Sequence, residues 1–257
     1  MGLDYDFFYK WVRNNLDIDL NAYKEKQLQR RIATVMRSSG ATNLEEYSKL
    51  IKKDEEIKKI FLDYITINVT DFFRNREIFK EFESILIGNI IPRFKSIKMW
   101  SAACSIGAEP YTLAMILDKN NLNNKGHILG TDIDDNVLKR AREGIYKENE
   151  MKNLTKEEIR RYFTFENDKY HIDEKLKKMV SFKKHDLILD NYEKGFHAII
   201  CRNVTIYFKN ETKDIIYKKM YESLVPGGVL FTGATESIYN PGEFGFKKIS
   251  TFIYEKV

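Results

Sequence analysis

The spacing of apolar residues along the chain changes once, near Pro92. Up to about residue 65 they recur every three to four positions with no intervening proline, the pattern of helices that each bury one face. At about 100° per residue, Leu28, Ile32, Val35 and Met36 fall on one side of such a helix, while Lys26, Arg30 and Arg37 gather on the other. Gly40 is the natural stop for it, because a left-handed residue past the last turn costs glycine least. Beyond Pro92, continuous apolar runs alternate with helical patterns. Residues 97–104 (IKMWSAAC), 127–133 (HILGTDI), 196–202 (FHAIICR) and 227–235 (GGVLFTGAT) predict buried strands, with helices at 109–119, 134–143 and 210–224 between them. This rhythm predicts an α/β fold built on a mainly parallel sheet. Residues 147–179 break it: they are charged and Asn-rich, with a helical TKEEIRRYF and a TFENDKYHI stretch able to turn back on itself. They predict an insertion. The terminal FKKISTFIYEKV alternates as a last hairpin strand would.

A chain of 257 residues has room for a small helical domain, residues 1–65, and a larger α/β domain, residues 96–257 with an insertion near 147–179. Residues 66–95 then serve as linker and as the start of the larger domain. With 43% hydrophobic and 32% charged residues the composition is globular. No apolar run approaches the roughly 18 residues of a membrane span, so no membrane insertion is expected. MGLDYDFFYKW places acids before its aromatics, which is not the order of a secretory signal. The two cysteines, Cys104 and Cys201, are far apart, and the four histidines show no metal-ligand spacing. A reduced, metal-free, cytoplasmic protein is the expectation. The net charge of +5 is mild, but residues 21–40 hold five basic residues (Lys24, Lys26, Arg30, Arg31, Arg37) against the single acid Glu25.

Candidate chemistry sits at the end of the first strand. Ser105, Gly107 and Glu109 follow it, and Asp132 stands at the carboxyl end of the next strand. In a doubly wound sheet, small residues at the first turn admit a ligand to the backbone, and an acid after the second strand takes ribose hydroxyls. The same residues also suit plain helix capping, and one glycine is not the GxGxxG fingerprint. The turn has no GK[ST], and Glu109 would repel a pyrophosphate. A positively charged nucleoside such as S-adenosylmethionine, a sulfonium, suits the corner better.

Four separated segments occur in an order that resembles the chemotaxis receptor methyltransferases, the CheR family: INVTDFFRN (67–75), WSAACSIGAEPYTLAM (100–115), GTDIDDNVLKRAREGIY (130–146) and ICRNVTIYF (200–208). The resemblance covers nearly the whole chain. It implies a class I S-adenosylmethionine-dependent methyltransferase fold, Rossmann-like, with an N-terminal all-α domain and a small β-rich insertion. It further implies methyl transfer to glutamate side chains on the cytoplasmic methylation helices of bacterial chemoreceptors. The family's cofactor contacts fall on Asn68, Thr70, Arg74, Glu109, Asp132, Asp186, Leu187, Arg202 and Asn203, and its active-site residues on Arg74 and Tyr207. Such chemistry needs no strong base, since a glutamate is already ionised near neutral pH. It needs the carboxylate held in line with the methyl carbon and stripped of water.

The chain departs from the family at Ala108, where a second glutamate is usual, at His197, where an acid is usual, and at Thr205. Ala108 and His197 motivate an alternative: a cofactor-binding regulatory module with weak or no receptor methylation. A nucleic-acid methyltransferase is disfavoured, because no NPPY-like tetrapeptide and no broad basic, aromatic groove is present. The Lys26, Arg30 and Arg37 stripe is expected to dock the acidic receptor helices. TFENDKYHI is short and lacks glycine, so no tight binding of a receptor's C-terminal pentapeptide is expected. The chain is expected to act as a monomer.

Overall fold

The computed structural model describes residues 3–257, and the chain divides into two compact units. Residues up to Asn68 together with Tyr207–Asp214 form one, and Val69–Ile206 with Ile215–Val257 form the other.

The helical unit contains α1 (Tyr5–Leu16), α2 (Glu25–Ser38), α3 (Leu44–Lys53) and α4 (Glu55–Thr66). Side-chain oxygens start three of them: Asp4 accepts the Phe7 N–H, Asn43 that of Glu46, and Asp54 those of Glu56 and Ile57. On α2 the apolar stripe is buried as its spacing requires, including Leu28, Ile32, Val35 and Met36, and Gly40 takes φ +84° just past the helix end. Phe8, Tyr47 and Phe61 meet pairwise at 5.7–6.0 Å between ring centroids and form the middle of this unit's core.

The larger unit is built on a seven-stranded sheet of order β6-β2-β1-β7-β8-β10-β9. The strands are β1 (Ile97–Ala102), β2 (Gly126–Asp132), β6 (Val180–Lys184), β7 (Phe196–Cys201), β8 (Leu224–Thr232), β9 (Phe246–Lys248) and β10 (Ile253–Lys256). All neighbours from β6 to β8 pair in parallel, and β10 and β9 close the far edge antiparallel. The helices are α5 (Arg76–Ile85), α6 (Ala108–Lys119), α7 (Asp135–Glu143) and α10 (Asn210–Ser223), the last beginning among residues of the helical unit. Apart from its last residue, Lys119, α6 is buried along its whole length, including the polar Glu109, Thr112 and Asp118 set among its apolar residues.

A second sheet of three short antiparallel strands, β3 (Ile145–Tyr146), β5 (Lys169–Ile172) and β4 (Phe163–Glu166), is accompanied by α8 (Lys156–Tyr162), which packs on β4, and followed by α9 (Glu174–Lys177), which packs on α6 and β6. β4 and β5 are joined by Asn167 and Asp168, both left-handed, the conformation of a two-residue hairpin turn.

Two strands differ from the sequence expectation. β8 starts at Leu224, ahead of the apolar run, and its register against β7 shifts between Phe196 and Ala198, where Gly227 takes φ +76°. β6 was not expected at all, because VSFKK is an edge strand whose lysines face water. The parallel order reverses direction at β1, which has β2 on one side and β7 on the other. This topological switch is where doubly wound sheets bind ligands, beyond the carboxyl ends of the strands.

Candidate active site

The backbone leaving β1 turns into α6 within five residues and does so under strain. Ala103 and Ser105 are left-handed at φ +61° and +50°, followed by Gly107 at +85°, whose N–H donates to the Cys104 carbonyl at 3.0 Å. A non-glycine residue held there costs about 1–3 kcal/mol, and such strain gathers at functional sites. A Cβ at Gly107 would lie 2.9 Å from that of Ala141, so no larger residue fits. Cys104 is buried and free, as is Cys201, and burial raises both thiols well above their ordinary range.

Asp132 ends β2 against this turn. One carboxylate oxygen accepts the Ser105 N–H at 2.8 Å and the other the Asp134 N–H at 3.1 Å. Burial pushes its pKa up to about 6, only partly offset by these N–H donors. The Ser105 hydroxyl beside it is buried with no hydrogen-bond partner. Next in the sheet, His185 after β6 donates its N–H to the Asp132 carbonyl at 2.9 Å, and the Asp186 carboxylate accepts the Ile188 N–H at 2.6 Å. Leu187 is buried beside it. After β7 come Arg202 and Asn203, the latter left-handed at φ +60°. Ser105, Asp132, Asp186, Leu187, Arg202 and Asn203, scattered through the sequence, thus share one edge of one sheet.

Glu109 and Arg202 are engaged with each other and with the protein. Glu109 accepts from the Ser101 hydroxyl at 2.7 Å and from the Arg202 guanidinium at 3.4 Å. The second terminal nitrogen of Arg202 donates to the Arg74 carbonyl at 2.8 Å and the Asn75 side chain at 3.1 Å, and the guanidinium lies over the rings of Phe79 and Phe231. Burial raises the pKa of Glu109 and lowers that of Arg202, each opposed by the other's charge. Arg202 therefore ties the turn after β1 to the loop carrying Arg74. In that loop the Arg74 guanidinium closes onto the Val69 carbonyl at 3.0 Å, around Thr70. A cap pair between Arg74 and Asp71, which proximity in sequence suggests, does not form; Asp71 pairs with Lys152 at 3.1 Å.

The remaining candidates belong to the helical unit. Asn68 lies 3.5 Å from the Asp63 carboxylate, and the Tyr207 carbonyl accepts the Lys24 N–H at 2.9 Å. Lys26, Arg30 and Arg37 are exposed, and none forms an ion pair among the described residues. Arg31, which no motif marked, lines a small hollow with Tyr23, Gln27 and Tyr207. A second unmarked residue, Glu236, binds the backbone beyond Arg202 in the larger unit. No periodicity or spacing could have found either, since each acts through tertiary contacts. His197 stands at the start of β7, the opposite end from the candidate site, where its ring accepts the Lys98 N–H at 3.0 Å. That departure from the family pattern is a packing feature.

These residues fit S-adenosylmethionine. The acid at the end of β2 suits vicinal ribose hydroxyls, the orphaned Ser105 hydroxyl offers a polar contact, and small residues open the turn's backbone. Among the described residues no His, Cys, Asp and Glu cluster could hold a metal ion, and no helix is long and apolar enough to cross a membrane.

Comparison with known proteins accords with this geometry. Residues 3–66 match the family model "CheR methyltransferase, all-alpha domain", and residues 68–253 match "CheR methyltransferase, SAM binding domain". A chemotaxis protein methyltransferase of Listeria monocytogenes is 40% identical over 254 residues, covering 98% of this chain and 97% of the relative. One from Borreliella burgdorferi is 36% identical (89% and 86% covered), and one from Escherichia coli 33% identical (86% and 79% covered). The chain belongs to the CheR family of chemotaxis methyltransferases, with a class I fold and S-adenosylmethionine as its cofactor.

Proposed function

We propose that the protein transfers the methyl group of S-adenosylmethionine to glutamate side chains of bacterial chemoreceptors, forming glutamyl methyl esters, and that it does so in the cytoplasm. The observation that carries this reading is the gathering of Ser105, Asp132, Asp186 and Asn203 along one sheet edge beside a strained turn, in a chain whose relatives are chemotaxis methyltransferases. The cofactor supplies an electrophilic methyl on a sulfonium. The cofactor is held by Asn68, Thr70, Arg74, Glu109, Asp132, Asp186, Leu187, Arg202 and Asn203, with Asp132 taking the ribose hydroxyls.

Arg74 orients the substrate carboxylate through a forked hydrogen bond and keeps it ionised. Tyr207 positions the attacking oxygen. The exposed stripe of Lys26, Arg30 and Arg37 docks the acidic receptor helices, since none of its charges forms an ion pair among the described residues. The two-residue connection between β4 and β5 supports the absence of a tight pentapeptide site. The test is transfer of radiolabelled methyl to membranes holding the matching chemoreceptors, with Arg74→Ala as control. Base-labile label on the receptor, lost in the variant, supports the reading; absence of label with the wild type, under conditions where S-adenosylhomocysteine binds, overturns it.

A further inference from the structure

Glu236 lies four residues beyond the last strand of the parallel series, in a GATES segment that no part of the reaction above uses. It is buried, with 4% of its surface exposed. A buried carboxylate must be compensated; among the described residues this one forms no ion pair, and beside the more distant Arg202 charge its compensation comes mainly from backbone N–H groups. One oxygen accepts the N–H groups of Val204, Thr205 and Ile206 at 2.9, 2.7 and 3.3 Å, together with the Thr205 hydroxyl at 2.9 Å. The other accepts the Asn203 N–H in a short contact and the Gly233 N–H at 3.1 Å. Four consecutive N–H groups, from Asn203 to Ile206, therefore converge on one carboxylate.

These N–H groups lie just beyond the end of β7 and run into the short 3-10 turn Thr205–Tyr207, in a loop where Asn203 is left-handed. Asparagine tolerates φ +60° better than most residues but does not prefer it, so something must hold the loop in that shape. The carboxylate does, because several donors can be satisfied at once only if their N–H vectors point to one place. Gly233 completes the arrangement: a Cβ there would overlap the Glu236 carboxylate and approach the Asn203 nitrogen to 3.0 Å.

We infer that Glu236 is a positioning residue, an anionic latch that fixes the Asn203–Ile206 loop and thereby presents Asn203 to the cofactor. This rests on the proposed role of Asn203 in cofactor binding. The latch does not touch substrate or cofactor; it acts by pre-forming a loop that binding would otherwise have to order.

The experiment compares the wild type with Glu236→Gln, which keeps the shape but turns an amide N–H₂ toward N–H donors, and with Gly233→Ala, which displaces the carboxylate while leaving it in the chain. Three quantities are read: S-adenosylhomocysteine affinity by calorimetry, amide hydrogen exchange of residues 203–206 against that of β1, and KM for S-adenosylmethionine against kcat. Both variants are expected to weaken S-adenosylhomocysteine about tenfold. They should also speed exchange at 203–206 with β1 still protected, and raise KM by more than kcat falls. Affinity within about twofold of wild type overturns the inference, as does faster exchange at β1 to the same extent as at the loop, which marks general destabilisation. If the wild type binds S-adenosylhomocysteine but methylates no receptor, the proposed function falls, while affinity and exchange still decide on the latch.

Discussion

Replacing Arg202 by methionine tests the strut between the motifs most directly. The side chain is 1% exposed and makes three hydrogen-bond contacts: to Glu109, to the Arg74 carbonyl and to Asn75. Methionine fills similar volume against Phe79 and Phe231 but leaves Glu109 buried with the Ser101 hydroxyl as its remaining side-chain donor. Removing one partner of a buried ion pair costs about 3–5 kcal/mol, on the order of 10 °C in midpoint for a domain of this size.

The loss should depend on pH. Burial already raises the Glu109 pKa, and the Arg202 charge is the largest influence opposing it, so the variant raises it further. A carboxyl whose folded pKa lies above its unfolded value binds more protons when folded, so stability falls as pH rises above the ordinary carboxylate range. Urea denaturation at about pH 5 and pH 8 should therefore show the larger deficit at the higher pH. In Arg202→Met/Glu109→Gln the buried charge is gone, and the double variant should be more stable than the two single losses sum to, by at least about 1 kcal/mol. Strict additivity, or a deficit that does not change with pH, would refute the coupling.

Three further outcomes are expected. Hydroxyl donors favour an ionised Asp132, so S-adenosylhomocysteine affinity should fall as pH is lowered through about 6 in the wild type. Calorimetry on Asp132→Asn should show roughly tenfold weaker binding near neutrality with that dependence lost. Gly107→Ala puts a Cβ at φ +85° and 2.9 Å from Ala141, and should lower stability in urea by about 2 kcal/mol. Charge reversal at Arg30 and Arg37 should raise KM for receptor membranes about tenfold and flatten its salt dependence, with S-adenosylhomocysteine affinity unchanged.

The sequence made the central strands plain, and physics explains why. β1, β2 and β7 are buried almost throughout, so they read as mainly apolar runs broken by few polar residues. β6 pairs on one side only and keeps two exposed lysines, which hides it among the charged residues of the insertion. The turn after β1 and Asp132 were legible because a strand-to-helix corner demands small residues and a strand-end acid is conspicuous. The occupations of Glu109 and Arg202 were not, nor was the latch at Glu236. Apart from Ser101 and Gly233, their partners lie about 30 to 130 positions away, and no local pattern encodes which buried carboxylate meets which donor.

The placing of the candidate site on a parallel edge also bears on how the protein folds. β1 pairs with β7, Met99 opposite Ala198, so the turn after β1 and the loop at Asn203 come together only after about a hundred intervening residues have been organised. Pairings so distant in sequence are slow, because chain closure precedes the contacts that reward it. A ligand that needs both segments has nothing to bind until this pairing is in place. S-Adenosylhomocysteine should therefore leave the refolding rate unchanged and slow unfolding, protecting the protein by its lifetime once folded.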